Sequence, residues 1–250
     1  MSSCCVLTRW SGRNGNNILQ MVRCIYYAEL YGYKRVSFPE HPFLTSKEIK
    51  IHTLKDEKND IKKGDFFSLK SYGVGDPNPK RMREIAQKYI VPILSFNLPK
   101  QTNNENIIGI HIRSGDTFSN NPHRAYVPCP LKFYKTIIKD YEEGYIVYED
   151  SKNPCVKILT KEHTSQSKDV ITDIQTLCSF RNIGIGFGTF GFMIYLLSMC
   201  VECVWLPDYV RDELPLGEWG CILNVIDLPG YIKVGEWNNT PDQKLRMVNY

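Results

Sequence analysis

The stretch Ile107-Ile-Gly-Ile-His-Ile-Arg-Ser-Gly-Asp116 indicates the fold class on its own. Its first six residues are largely apolar, which is typical of a strand buried on both faces of a parallel sheet. The strand runs directly into a polar turn that carries a cation, a glycine and a carboxylate. Because open α/β sheets bind ligands at the carboxyl ends of their strands, this turn is a candidate ligand site.

Strands and helices alternate along the rest of the chain. In the first half, a strand over 4–10 leads through a Gly-rich turn into helical spacing of apolar residues from Ile18 to Ala28. The same half is predicted to contain strands over 35–38 and 65–69 and a helix over 81–91. The second half is predicted to contain helices over 131–141, 170–180 and 189–199 and strands over 156–160, 183–187 and 201–206. This alternation predicts an α/β fold with parallel sheets.

A polar stretch over 99–105, rich in Gln, Thr and Asn, is the best candidate for a linker. We therefore predict two α/β domains, residues 1–100 and residues 101–250, with the C-terminal segment crossing back. Two such domains would face a cleft at the carboxyl ends of their strands.

Composition excludes several classes of protein. Hydrophobic residues make up 42% and charged residues 23% of the 250, as in ordinary globular proteins. The net charge of +4 comes from scattered residues, so we expect no nucleic-acid partner. The most apolar segment, 192–206, is shorter than the roughly 20 residues of a membrane span, so we expect no stable membrane insertion. The pattern does not indicate an oligomeric state.

Nine cysteines, an odd number, occur in a chain that opens without the charged and apolar regions of a signal peptide. We expect these cysteines to be reduced thiols and the protein to be cytoplasmic.

The residues after the buried strand suit a phosphate. Arg113 can donate two parallel hydrogen bonds to phosphate oxygens, and Gly115 allows the backbone to approach closely. A purely structural alternative is that Arg113 and Asp116 pair across the turn.

A second turn, Gly186-Phe-Gly-Thr-Phe-Gly191, connects a predicted strand to a predicted helix. The start of a helix attracts anions because its first N–H groups point outward. Thr189 could cap this helix or donate its hydroxyl to a phosphate. The glycine spacing alone is weak evidence, since tight turns of this kind need glycine in any case.

Three motifs resemble those of the fucosyltransferase superfamily. His111-Ile-Arg-Ser-Gly-Asp116 is similar to its H-x-R-R-x-D motif, and Gly12-Arg-Asn-Gly-Asn-Asn-Ile-Leu-Gln20 is similar to its G-x-x-G-N-Q-x-x-Q opening. Asp173-Ile-Gln-Thr-Leu177, followed by Gly188-Thr-Phe190, is similar to its D-I-x-x-L and T-F-S-S stretches. The motifs occur in the family's order over most of the chain.

The resemblance implies a glycosyltransferase of the GT-B type, with two Rossmann-like domains facing a cleft, no metal and an inverting mechanism. Residues 1–100 would form the acceptor side and residues 101–250 the donor side. By analogy, Arg113 would hold the β-phosphate, Asp173 would read the edge of the nucleobase, and Thr189 with Phe190 would contact phosphate. The full set of expected donor-binding residues is Arg13, Asn14, Gly15, Asn16, His111, Arg113, Asp173, Gly188, Thr189 and Phe190.

The sequence departs from the family pattern in ways that affect the expected function. Ser114 replaces the second arginine of the motif, the chain is short for two domains, and residues 117–122 contain no carboxylate. A closer similarity is to the small soluble β-xylosyltransferases of large algal viruses. This similarity implies UDP-xylose as donor, fucose of a viral glycan as acceptor and the host cytoplasm as location.

Three alternatives stay open. GDP-fucose could be the donor, the chain could be a non-catalytic module that binds glycans or nucleotides, or it could be a generic α/β nucleotide-binding enzyme. The generic enzyme is disfavoured because the sequence contains neither a P-loop nor a dinucleotide fingerprint.

An inverting transfer needs a base, and no Asp-x-Asp pair for a metal occurs in the sequence. We expect Asp76, in the loop Gly73-Val-Gly-Asp-Pro77, to be the catalytic base, with Asp116 as the second candidate and Asp65 as the third. An alternative role for Asp76 is to cap the helix that follows.

Overall fold

The computed structural model describes residues 3–53, 55, 58–100, 105–123, 125–211 and 214–250. Residues 101–104 of the predicted linker lie outside this range. The described residues have an α/β fold with two sheets, which confirms the predicted class. They form two compact units, Met1–Asn97 with Pro215–Gly220, and Leu98–Leu214 with Cys221–Tyr250. The expected acceptor and donor roles of the two domains stay predictions.

The first unit contains a four-stranded sheet made of β1 (Cys4–Leu7), β2 (Arg35–Ser37), β3 (Glu48–Lys50) and β4 (Ile61–Gly64). The strand order is β3-β2-β1-β4. Strand β1 pairs in parallel with β2 and β4, whereas β3 runs antiparallel to β2. Its helices are α1 (Asn14–Tyr31) and α2 (Pro79–Ile85), the latter continued by a π-helical turn (Ala86–Ile90) and a 3₁₀ turn (Val91–Ile93), with another 3₁₀ helix at Leu69–Tyr72.

Helix α1 forms where the apolar spacing predicts it. Ile18, Val22 and Ile25 recur on one face and are fully buried, so the helix packs its apolar side on the sheet. The helix ends at Gly32, whose φ of +80° is left-handed and whose N–H donates to the carbonyl of Ala28.

The second unit contains a six-stranded sheet in which every pairing is parallel. Its strands are β5 (Ile107–Ile112), β6 (Glu143–Tyr148), β7 (Ser165–Gln166), β8 (Asn182–Ile185), β9 (Cys203–Pro207) and β10 (Ile222–Ile226), in the order β10-β9-β8-β5-β6-β7. Its helices are α3 (Leu131–Ile138), α4 (Pro154–Glu162), α5 (Val170–Cys178), α6 (Thr189–Leu197), α7 (Asp208–Arg211) and α8 (Pro241–Asn249), with a 3₁₀ helix at Gly115–Phe118.

Strand β5 lies at the centre of this sheet, between β8 and β6. Ile108, Ile110 and Ile112 are fully buried, as expected for a strand covered on both faces. A Cβ atom at Gly109 would lie 2.3 Å from the ring of Phe180, so glycine is required there for close packing.

Two predicted strands are wrong. Residues 156–160 belong to α4, because Asn153 caps that helix by accepting from the N–H of Cys155 and Pro154 occupies its first position. Residues 65–69 are not a strand, because β4 ends at Gly64 and Phe66 then takes a left-handed φ of +48°.

The nine cysteines all lie within the described residues, and each is a free thiol. None of the helices in the described part of the chain is both long and apolar enough to cross a membrane.

Candidate functional site

Two loops meet at the carboxyl edge of the six-stranded sheet. One follows β5 and begins at Arg113, and the other follows β8 and leads into α6. Because β5 and β8 pair in parallel, with His111 opposite Ile185, their loops leave the sheet side by side. This edge is where ligands of parallel α/β sheets bind.

Arg113 packs against two aromatic rings that also contact each other. Its guanidinium carbon is 4.4 Å from the ring centroid of Tyr126 and 5.1 Å from that of Phe187, and the two rings are 4.5 Å apart. Both distances are within the range of cation–π attraction. The side chain is only 16% exposed, and its Nε atom is buried without a hydrogen-bond partner in the described structure. The guanidinium is therefore held in place by stacking rather than by a full set of hydrogen bonds.

The same guanidinium pairs with Asp116 across the turn, which is the structural alternative given by the sequence. Nη2 of Arg113 lies 3.0 Å and 3.2 Å from the two carboxylate oxygens. The Asp116 side chain is 44% exposed, and an exposed ion pair contributes only about 0–1 kcal/mol. A more highly charged anion could therefore replace Asp116 at little cost.

The first residues of helix α6 lie next to the guanidinium of Arg113. Its N-cap is Gly188, which corrects the expectation that Thr189 caps the helix; Thr189 is the first helical residue. Gly188 has a φ of +96°, and a Cβ atom there would lie 2.4 Å from Nη1 of Arg113. A cation and the positive end of a helix thus converge on one point, which makes this a candidate anion site.

His111 lies beside this point as a neutral imidazole. Its ring is 4.4 Å from that of Phe190, the second residue of α6. Burial, and then the charge of Arg113, lower the pKa of His111 to about 3. At neutral pH His111 therefore adds a polar ring but no charge to the site.

The turn after Arg113 is braced by the loop that follows β6. The fully buried Ser114 donates its hydroxyl to Asp150 (2.5 Å) and accepts from the N–H of Asn153 (3.0 Å). The side-chain amide of Asn153 donates to the carbonyl of Arg113 (3.1 Å). A Cβ atom at Gly115 would lie 2.5 Å from the carboxylate of Glu149, so the turn also requires glycine. Ser114 is thus a buried structural residue.

Asp173 lies at the same edge of the sheet, on α5 beside β7. It is buried and accepts from the side-chain amide of Gln166 (2.9 Å), which in turn accepts from the hydroxyl of Tyr145 (3.1 Å). Burial raises the pKa of the Asp173 carboxyl. The structure therefore brings His111, Arg113, Asp116, Gly188 and Phe190 together and places Asp173 further along the edge.

Four of the expected donor-binding residues, Arg13 to Asn16, lie in the first unit at the start of α1. Arg13 is the N-cap residue of that helix and is exposed. The loop before it is held by Gln20, which accepts from the N–H of Ser11 (2.9 Å) and donates to the carbonyl of Asp65 (2.6 Å). Gln20 is fully buried, so this part of the motif stabilises the loop.

Asp76 also lies in the first unit, where both of its carboxylate oxygens accept from Arg23. The distances are 3.0 Å from Nε and 2.8 Å from Nη2. The expectation that Asp76 caps the following helix is wrong, because α2 begins at Pro79 and Asn78 is its N-cap.

Most residues that surround Arg113 have no signature in the sequence. Phe187 belongs to the Gly-rich turn 186–191, but Tyr126 lies in a loop without a recognisable motif. Glu149, Asp150 and Asn153 could not be predicted because their contacts with residues 113–115 are distant in sequence.

Among the described residues, no three His, Cys, Asp or Glu side chains are grouped as metal ligands. The sequence matches no protein-family model and no curated protein sequence.

Gly188→Ala tests whether residue 188 must leave room for Arg113. We expect it to lower the affinity for pyrophosphate at least about tenfold, measured by titration calorimetry, because the new methyl group displaces the guanidinium. Gly235→Ala is the matched control, since Gly235 has the same φ of +96° but a Cβ atom there meets nothing within 4 Å. Both variants should lose about 1–3 kcal/mol of stability from backbone strain, and equal affinities would contradict the geometry.

The low pKa of His111 predicts a loss of stability in mild acid. The imidazole titrates near 6.5 in the unfolded chain but near 3 in the folded one, so only the unfolded state takes up its proton between these values. From pH 7 to pH 5, wild type should lose about 2 kcal/mol more unfolding free energy than His111→Phe. Denaturant unfolding at both pH values measures this, and an equal loss in the two proteins would refute it.

Proposed function

We propose that this chain is a glycosyltransferase that takes its sugar from a nucleoside diphosphate donor. The observation that carries the proposal is the convergence of Arg113 on the start of α6 at the carboxyl edge of a parallel sheet. A pyrophosphate is the ligand class that suits a stacked guanidinium beside a helix N-terminus.

In this proposal the site stabilises the departing nucleoside diphosphate. As the bond from the anomeric carbon to the β-phosphate oxygen breaks, negative charge develops on that phosphate. Arg113 and the first N–H groups of α6 are positioned to meet it, and donors of this kind typically contribute about 3 to 4 kcal/mol each to the transition state. Asp116 would give up its pairing with Arg113 when the phosphate binds.

The finer proposal concerns the two sugars. The resemblance to β-xylosyltransferases supports transfer of xylose from UDP-xylose to fucose, with inversion and without a metal, and GDP-fucose is the alternative donor. Asp173 is the proposed contact for the nucleobase of the donor. Its partner Gln166 can orient the Asp173 carboxyl toward an N–H group of the nucleobase ring.

The base that accepts the acceptor proton is proposed to be Asp76, with Asp116 as the second candidate. Arg23 binds both carboxylate oxygens of Asp76 and thereby sets the plane of the carboxylate.

Arg113→Lys tests the donor site. Lysine keeps the charge but loses the planar fork and the stacking, so the affinity for UDP and UDP-xylose should fall at least about tenfold. Arg181→Lys is the matched control, because Arg181 precedes β8 at the opposite edge of the same sheet, where it pairs with Glu105 and Glu202. Titration calorimetry in EDTA measures the affinity of each variant for UDP-xylose and for GDP-fucose. The comparison of variants tests the site, and the comparison of the two nucleotide sugars identifies the donor.

Binding of GDP-fucose alone would overturn the xylose proposal. If Arg113→Lys binds both nucleotides as well as wild type does, the pyrophosphate site is elsewhere.

Asp76→Asn tests the catalytic base. It keeps the shape of the side chain and should lower the turnover number about 10²- to 10⁴-fold, with the affinity for the nucleotide unchanged. Asp116→Asn is the comparison variant, and a loss confined to that variant would move the role of base to Asp116. If wild type binds donors but neither transfers nor hydrolyses them, the chain is a binding module.

A further inference from the structure

Three residues of the first unit, Phe67, Arg23 and Asp76, form one connected surface, here called the Phe67 surface. Nη1 of Arg23 donates to the carbonyl of Phe67 (2.6 Å), while Nε and Nη2 bind the Asp76 carboxylate. The Arg23 side chain is only 15% exposed, and that of Asp76 is 28% exposed. The guanidinium of Arg23 therefore connects the backbone of Phe67 to the carboxylate of Asp76.

Phe67 is exposed and follows a residue with an unusual backbone conformation. Phe66 has a φ of +48°, a backbone conformation that residues other than glycine rarely adopt. Its own ring is fully buried and stacks on Tyr72, with ring centroids 4.8 Å apart and planes within 8°. Because Phe66 points inward, Phe67 stays 47% exposed. The strain at Phe66 is offset by the packing of its own ring, and it leaves the neighbouring ring of Phe67 accessible to a ligand.

The Phe67 surface lies where a ligand would be expected. Residues 65–68 follow β4 directly, so they lie at the carboxyl edge of the first sheet. Asp65 is held there by Gln20 and pairs with Arg9, and its carboxylate accepts from the N–H of Phe67 (3.2 Å). There is open space nearby, since a Cβ atom at Gly73 or Gly75 meets nothing within 4 Å.

We infer that the Phe67 surface is a carbohydrate-binding site that takes the acceptor sugar, an inference that rests on the proposed transferase function. An exposed aromatic ring offers its face to the C–H groups of a pyranose. The neighbouring carboxylate accepts hydrogen bonds from sugar hydroxyls. Arg23 and Asp76 neutralise each other, so the surface favours an uncharged ligand over a phosphate. The acceptor hydroxyl then lies at Asp76, the proposed base.

Phe67→Ala tests the inference. Saturation-transfer NMR and titrations would use the methyl glycosides of fucose, xylose, galactose and glucose, without nucleotide. We expect at least one glycoside to bind wild type and its affinity to fall about tenfold in Phe67→Ala. Phe67→Tyr should restore binding, because it keeps the ring. Tyr31→Ala, which removes an exposed ring at the far end of α1, should bind as wild type does.

Enzyme kinetics give the second measurement. Phe67→Ala should raise the KM for the acceptor glycoside while leaving the Kd for UDP-xylose unchanged. Equal glycoside affinity in Phe67→Ala and wild type, or no binding of any of the four glycosides to wild type, would overturn the inference. Glycoside binding that depends on Phe67 in a protein that binds no nucleotide would instead refute the transferase proposal and leave the carbohydrate site standing.

Discussion

The position of Arg113 depends on the absence of a side chain at residue 188. Without that space, the guanidinium could not pack against Tyr126 and Phe187 and also reach the start of α6. The parallel pairing of β5 with β8 then determines that these two loops meet at one edge. A cation, a helix N-terminus and a neutral imidazole are brought together by this close contact, and the chemistry proposed for the second unit follows from it.

The two units present different chemistry at the carboxyl edges of their sheets. In the second unit Arg113 is paired with a well-exposed carboxylate, and the neighbouring helix terminus adds further positive potential. In the first unit Arg23 is largely buried and donates from Nε and Nη2 to both carboxylate oxygens of Asp76, which leaves little net charge beside Phe67. One edge suits an anion and the other suits a neutral polyol. This contrast is the difference expected between the donor and acceptor sugars of a transferase.

The sequence was informative where structure is determined by neighbours along the chain. The apolar run 107–112, the turn after it and the Gly-rich start of α6 could all be predicted, because strand burial and helix starts have local signatures. The strand predicted over 156–160 was wrong because the cap at Asn153 outweighs the apolar pattern. Tyr126 could not be found, since the residue reaches Arg113 only through the folded loop. The pairing of Asp76 with Arg23 could not be predicted either, because the two residues are distant in sequence.

Ser114 has an evolutionary consequence. Its side chain is enclosed and bonded to both Asp150 and Asn153, so an arginine at this position would have no room and would leave Asp150 without its hydroxyl partner. An arginine at position 114 would therefore require a different loop after β6. Residues 114, 150 and 153 can change only together, so these three positions determine in common whether the turn carries one cation or two.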